Sequence, residues 1–229
     1  MAYAPRTIAF LCELLHPPLV PDPAPIQRVH NRMFQTGAPL YRSFTVAGTG
    51  AVLSNPTAQP AAVSSVGFLS DRFQFREELS GLTPDDFSSR VREVTKMAVE
   101  ERPVQLFTAQ VVTIRTLINP RRFQDSRLYL KEGVFGFGEE LGGLGREPQL
   151  YGMRLVFPPT PEEPWAFTLR VESFANDPRS LFLENQASFG PIVGPTGLET
   201  LERNIAATYD FLVQRALPFL GHFDVTQEA

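Results

Sequence analysis

Apolar residues recur at helical spacing most clearly near the C-terminal end of the chain. Between Leu198 and Leu217 they step by three or four positions along one face, whereas the charged residues fall mostly elsewhere. A capping box from Thr196 to Glu199 predicts where this helix begins, and Pro218 and Gly221 predict where it ends. Because one side of the helix is apolar, it needs a sheet or a partner to cover it. The apolar positions are Leu198, Leu201, Ile205, Tyr209, Leu212 and Ala216.

Strand patterns interrupted by helix patterns make up the first half of the chain. The apolar run at residues 8–15 predicts a strand, and the spacing over residues 26–34 predicts a short helix. Alternation over residues 41–52 predicts the next strand. Around residues 66–75 the alternation changes phase, which predicts a bulge or turn at Ser70-Asp71.

A second helix and a long strand complete this half. Thr83 is the predicted N-cap, Pro84 takes the first helical position, and the inner face consists of Phe87, Val91, Val94 and Ala98. Residues 104–118 are rich in β-branched side chains and carry apolar residues in both phases. This pattern is typical of a central strand that is covered on both sides.

The element order predicts an α+β fold with mainly antiparallel sheets. The first half, residues 1–118, follows the ferredoxin-like order strand, helix, strand, strand, helix, strand. In the second half, residues 119–229, strands over 150–157, 165–174 and 181–188 form a three-stranded meander that leads into the C-terminal helix. The halves are either two domains or one continuous domain, and a cleft between two helix-covered sheets is where a site is expected.

Composition and charge indicate an ordinary globular protein. Hydrophobic residues make up 43% and charged residues 20%, and the net charge of −4 provides no general attraction to nucleic acid or to an anionic membrane. No segment approaches the roughly 18 continuous apolar residues of a membrane span. The single cysteine, Cys12, cannot form an intrachain disulfide and is predicted to be a buried thiol. We expect a cytoplasmic protein with neither a nucleic-acid nor a membrane partner.

No motif predicts a cofactor, a metal ion or a catalytic group. The Gly-rich stretch at 136–143 lacks the spacing of a dinucleotide fingerprint and the end of a P-loop, so it favours a loop or lid, with a binding loop as the alternative. Paired acids such as Glu77-Glu78 point apart, because successive strand residues face opposite sides. Metal-ligand spacing is absent among the histidines, and ordinary, partly exposed positions are predicted for His16, His30 and His222.

Four charged residues lie inside predicted strands instead of at their ends. They are Arg115, Arg154, Arg170 and Glu172. Arg170 and Glu172 share one sheet face, since side chains two residues apart project to the same side. With Arg115 or Arg154 on a neighbouring strand, they would form an ion-pair cluster or an anion-binding surface. Solvated charges on a wet sheet face are the alternative interpretation.

Several segments resemble a known family. Together with the N-terminal apolar strand, they are VVTIR at 111–115, FTLRV at 167–171 and LERNIAATYDF at 201–211. Their order resembles a sporadically distributed bacterial family of uncharacterised α+β proteins of similar length. Where that family usually has a His-Glu pair early in its last helix, this chain has Leu201-Glu202. The resemblance implies neither a known activity nor catalytic residues.

Two functions are compatible with these patterns. The first is a non-enzymatic protein that binds another protein or assembles with itself, through its sheet edges or its apolar second half. The alternative is a small anionic-ligand-binding protein or enzyme with a site between the two halves. There, Arg115, Arg154, Arg170 and Glu172 would contact the ligand and the Gly-rich stretch would serve as a lid.

Overall fold

Nine strands form one continuous sheet. The computed structural model describes residues 3–102 and 104–224. Its strands are β1 (Arg6–Leu15), β2 (Ser43–Ala47), β3 (Gly50–Ser54), β4 (Val63–Leu69), β5 (Arg72–Glu78), β6 (Leu106–Phe107), β7 (Ala109–Ile118), β8 (Gly152–Phe157), β9 (Ala166–Ser173), β10 (Leu181–Phe189) and β11 (Ile192–Val193). The sheet has the order β2-β3-β4-β5-β1-β7-β10-β9-β8, while β6 and β11 form a separate pair. Each neighbouring pair is antiparallel.

Helices pack on one face of this sheet, which we call the covered face. The α-helices are α1 (Ala24–Gln35), α2 (Pro84–Glu101), α3 (Ser126–Leu128), α4 (Leu198–Asp210) and α5 (Leu217–Gly221). Tyr129–Val134 and Phe211–Ala216 are π-helical, and Glu139–Leu144 and His222–Asp224 are 3-10 turns. Helix α2 packs against both α1 and α4. The Phe87 ring of α2 stacks on Phe10 of β1 at 5.2 Å, and Phe211 stacks on Phe167 of β9 at 4.2 Å.

Helix α2 confirms the prediction made for residues 83–98. The Thr83 hydroxyl accepts a hydrogen bond from the Asp86 amide at 3.1 Å, and the Asp86 carboxylate accepts one from the Thr83 amide at 3.3 Å. These two bonds form a capping box, which satisfies amides that the first helical turn leaves free. The four predicted inner residues, Phe87, Val91, Val94 and Ala98, are fully buried.

The terminal helix begins at Leu198 and its helical path ends at Gly221, as predicted, but the predicted capping box and the predicted stop at Pro218 are wrong. Its N-cap is Gly197, without a side-chain cap, and a Cβ there would lie 2.7 Å from the Val193 carbonyl oxygen. That close approach requires glycine at this position. Gly197 is therefore the N-cap in place of the predicted Thr196, and no capping box forms. The helical path continues through the π-helical turn into α5, where Pro218 occupies the first turn. Proline is tolerated there because the amides of a first turn lack intrahelical partners.

The predicted ferredoxin-like order of the first half is wrong. The segment predicted as one strand at 41–52 is the hairpin of β2 and β3, and the predicted turn at Ser70-Asp71 separates β4 from β5. Four strands therefore lie between α1 and α2. At Gly50, which has φ of 150°, a Cβ would lie 2.1 Å from the Phe68 carbonyl oxygen. In the second half, β8, β9 and β10 form the predicted meander ahead of α4.

Strands from both halves of the chain, before and after residue 118, belong to the same sheet. Strand β7 pairs with β1 on one side and with β10 on the other, so the described residues contain no cleft between two separate helix-covered sheets. The prediction that β7 is covered on both sides is also wrong. Its residues alternate between buried positions on the covered face and partly exposed positions, such as Val111, Thr113 and Arg115, on the opposite side. We call that opposite side the open face.

Candidate functional site on the open face of the sheet

The four charged residues predicted from the sequence lie on the open face. Arg154 of β8 is opposite Arg170 of β9, Arg170 is opposite Glu184 of β10, and Glu184 is opposite Arg115 of β7. Residues that are directly opposite in antiparallel strands share one sheet face. Glu172 lies two residues from Arg170 and projects to the same side. We call these five residues the charged patch.

Ion pairs join most members of the charged patch. Arg115 Nε donates to Glu184 Oε2 at 2.7 Å. Arg170 makes two hydrogen bonds of 2.6 Å, from Nε and Nη2, to the two carboxylate oxygens of Glu172. Its Nη1 also lies 4.0 Å from Glu184 Oε1. The hydrogen bond to Glu172 raises the pKa of Arg170, so this guanidinium stays charged.

Arg154 differs from the other arginines of the charged patch. It has no ion-pair partner among the residues that the structure describes. It lies directly across from Arg170, and like charges in opposite positions repel each other. An incoming carboxylate or other anion would relieve that repulsion.

A depression of about 860 Å³ lies beside the charged patch on the open face. Strand residues form its floor, and loop residues such as Gln59, Leu150 and Asn176 form its rim. Its charged lining is balanced, because three arginines are matched by three glutamates. These residues are Arg6, Arg115, Arg170, Glu78, Glu172 and Glu184. Because of this balance, the depression has no strong attraction for either sign of charge.

Glu184 was not among the site residues predicted from the sequence. The available signal was the alternation of Phe182, Glu184 and Gln186 along β10, which places the carboxylate on one sheet face. The lid predicted from the Gly-rich stretch does not lie at this site, because none of the side chains that the structure describes within residues 136–143 lines the depression. That stretch includes a 3-10 turn at Glu139–Leu144.

The paired acids Glu77 and Glu78 point to opposite faces, as predicted. Glu78 lines the depression on the open face. Glu77 is 1% exposed and faces α2, where Arg90 Nη1 donates to its Oε1 at 2.6 Å. Neither Glu77 nor Arg90 was a candidate from the sequence, because their contact depends on how α2 packs on β5.

His16 is buried, which corrects the prediction of a partly exposed side chain. It is 4% exposed, and its ring packs edge-on against Phe73 and Phe107. Nδ1 lies 2.8 Å from the Pro17 carbonyl oxygen, whereas the buried Nε2 has no hydrogen-bond partner. Burial lowers the pKa of His16 below its ordinary value of 6.5. His30 is partly exposed, as predicted, and His222 is exposed.

This burial of His16 predicts a pH-dependent stability. Because the pKa of His16 is lower in the folded state than in the unfolded state, the contribution of His16 to the free energy of unfolding is complete above about pH 6.5. That contribution is lost as the pH falls through the folded-state pKa. The His16→Phe variant keeps the aromatic packing and should lose less stability than the parent between about pH 7 and pH 5. Urea unfolding at several pH values measures this difference. Equal losses in both proteins would show that His16 does not contribute to acid sensitivity.

Neither a metal-ligating group nor an accessible thiol occurs among the described residues. Residues 3–102 and 104–224 contain no group of three or more His, Cys, Asp or Glu side chains that could hold a metal ion. Cys12 is fully buried, as predicted, and burial raises its thiol pKa to about 12. Across the same described ranges, every helix is too short or too polar to cross a membrane.

The fold and site define an α+β protein with a nine-stranded antiparallel sheet, helices on the covered face of that sheet and a charged patch on its open face. No protein-family model matches the chain, and no curated protein matches it.

Proposed function

We propose that the protein functions by self-association and that the open face is the contact surface between two copies. The observation that supports this proposal is the charge-balanced lining of the depression on the open face, to which no helix contributes residues. Charged residues that lie on an accessible sheet face can form ion pairs with complementary charges of a partner.

The size of the open face fits a dimer. Eight spacings between the nine strands, at about 4.8 Å each, make it about 38 Å wide. A contact length of six residues adds about 20 Å in the strand direction. The resulting area of about 760 Å² is close to the roughly 800 Å² that each partner contributes to a standard interface.

Charge balance favours a second copy as the partner. A two-fold interface brings the same patch of both subunits together, so the patch must be complementary to itself. Each copy would present three arginines and three glutamates to its partner. Leu79 and Leu150, which are 45% and 48% exposed at the rim, would add apolar contacts. A strongly acidic or basic partner would instead meet repulsion from half of these groups.

A small anionic ligand is the second candidate, and Arg154 is the observation that favours it. Arg154 and Arg170 line a second depression of about 590 Å³ on the open face, and Arg154 has no ion-pair partner among the described residues. Glu172 and Glu184 line the same depression and would repel an anion. The ligand would have to displace one of these carboxylates from Arg170.

Charge reversal at Arg170 tests the self-association proposal. Arg170→Glu would place a third acid beside Glu172 and Glu184, so we expect the dimer dissociation constant to rise by at least about tenfold. The matched control is Arg32→Glu in α1, on the covered-face side. Arg32 is 48% exposed and Arg170 is 45% exposed, and each is paired with a glutamate.

Size-exclusion chromatography with light scattering measures both variants. The proposal requires that Arg170→Glu shifts the protein towards monomer while Arg32→Glu behaves like the parent. Equal behaviour of the two variants would rule out the open face as the interface. If sulfate or a dicarboxylate bound the parent protein and left its mass unchanged, the second candidate would be favoured instead.

A further inference from the structure

Strand β8 lies at one end of the nine-stranded sheet, and among the described strands it pairs only with β9. Next to β8, the Ser173 amide of β9 donates to the Tyr151 carbonyl oxygen at 2.9 Å. Backbone groups alternate in direction along an antiparallel strand, so every second residue of β8 after Tyr151 turns its N–H and C=O away from β9. We call these outward groups the β8 edge. They belong to Gly152, Arg154 and Val156.

The β8 edge is accessible. Within the described parts of the chain, no hydrogen bond from another element reaches its N–H and C=O groups. Every residue of β8 is exposed or half-buried. Free backbone groups at the edge of a sheet can pair with a further strand. Pro158 and Pro159 follow the strand and have no N–H, so they limit such pairing to the length of β8.

The two sides of β8 make different demands on an added strand. On the covered face, Met153 and Leu155 are half-buried and pack against the core. Phe157 packs edge-on against Phe211 at 5.2 Å and remains 37% exposed. On the open face, Arg154 is exposed and has no ion-pair partner among the described residues. An added strand therefore needs apolar residues on one side and a residue that suits Arg154 on the other.

Charge decides which residue suits Arg154. Its neighbour on β9 is Arg170, which repels it. Across the sheet from there, Glu184 and Arg115 continue the same row with alternating sign. A carboxylate directly opposite Arg154 in an added strand would form the cross-strand ion pair that Arg154 lacks. The row therefore favours an acidic residue at this position.

The same arginine disfavours a second copy of β8 at this edge. In the registers that pair most of this strand with itself, Arg154 would lie directly opposite its counterpart or diagonal to it. Like charges in these positions destabilise a strand pair, and charged residues at sheet edges commonly prevent self-pairing. Strand β2, at the other end of the sheet, contains no charged residue and selects no partner by charge.

We infer that the β8 edge binds an extended segment of another protein, with an acidic residue opposite Arg154 and apolar residues opposite Met153 and Leu155. The segment adds a strand to the sheet, so backbone hydrogen bonds supply affinity and the side chains supply specificity. The edge lies in the plane of the sheet, so binding there does not require the proposed self-association of the open face.

Titration with two designed peptides tests this inference. The acidic peptide is Lys-Val-Thr-Val-Glu-Val-Thr-Val-Lys with both ends blocked, and its pattern reads the same in both directions. The basic peptide has Lys in place of the central Glu. Heteronuclear NMR should show shifts of the β8 amide signals with the acidic peptide, and the basic peptide should bind at least about fivefold more weakly. Absence of binding by the acidic peptide at millimolar concentration would overturn the inference, as would equal affinity for both peptides.

Charge reversal at Arg154 tests the role of that residue. Arg154→Glu should bind the basic peptide more tightly than the acidic one, because the sign of the cross-strand pair is exchanged. A preference for the acidic peptide that persists in this variant would place the peptide outside the β8 edge and would contradict the inference.

Proline substitution tests the role of the backbone. Val156→Pro removes an outward N–H without removing a bond to β9, so binding of both peptides should be lost. The matched control is Val46→Pro in β2, since Val46 is 56% exposed and Val156 is 64% exposed. This control should bind like the parent protein. Peptide binding by a folded Val156→Pro variant at the parent's affinity would overturn the inference, and if the variant does not unfold cooperatively, the preference of Arg154→Glu decides.

The mass of the proline variants in solution distinguishes a second copy from another protein as the occupant of the edge. Both variants should self-associate like the parent. If Val156→Pro became monomeric while Val46→Pro did not, a second copy would occupy the β8 edge, and the inference would be overturned.

Discussion

Replacement of Phe87 by alanine is expected to lower the free energy of unfolding by about 4 kcal/mol. Phe87 is fully buried in α2 and stacks on Phe10 of β1 at 5.2 Å, where the helix covers the centre of the sheet. The substitution removes buried apolar surface and leaves a cavity that a closely packed core cannot refill completely. Urea unfolding followed by circular dichroism, at one fixed protein concentration, measures the change.

Phe34→Ala is the matched control for this prediction. Phe34 is in α1 and is 49% exposed, so we expect its removal to cost less than about 1 kcal/mol. A similar loss in both variants would contradict the assignment of Phe87 to the central core.

Replacement of Arg90 by alanine is expected to cost about 3 kcal/mol, which is the second large effect. The variant leaves the carboxylate of Glu77 buried without its cation, and only Ser64 and Tyr41 still donate to it. We place the cost at the low end of the range for a broken buried pair, because the Arg90 side chain is 17% exposed. Water can reach part of the space that the guanidinium leaves.

Arg92→Ala provides the comparison on the same helix. Arg92 is 41% exposed and pairs with Glu202 at the surface, so its loss should cost less than about 1 kcal/mol. Unfolding in urea measures both variants. A loss below about 1 kcal/mol for Arg90→Ala as well would mean that the Glu77 carboxylate is hydrated or rearranges in solution.

Local sequence patterns predicted the elements with a long, uninterrupted period. Helix α2 and strands β1, β9 and β10 are where their apolar spacing placed them, because a period of two or 3.6 residues reports directly on one buried face. The β2–β3 hairpin was missed because its turn lacks the common Asn-Gly or Asp-Gly signal. The error in strand count then produced the wrong ferredoxin-like order.

Strand order explains what could not be predicted about the candidate site. A period of two places Arg170 and Glu172 on one face, but only the insertion of β10 between β7 and β9 brings Glu184 between Arg170 and Arg115. Such pairing joins strands that are distant in the sequence, so the sequence of one strand does not reveal which strand lies beside it. The contact of Arg90 with Glu77 depends in the same way on the packing of a helix on a sheet.

The mass of the unmodified protein in solution tests the central claim most directly. Self-association through the open face predicts that sedimentation equilibrium at about 100 μM, well above a micromolar dissociation constant, gives twice the chain mass of 25.5 kDa. Dilution should return the protein to the mass of a single chain. A mass of 25.5 kDa at every concentration up to 100 μM would contradict the claim.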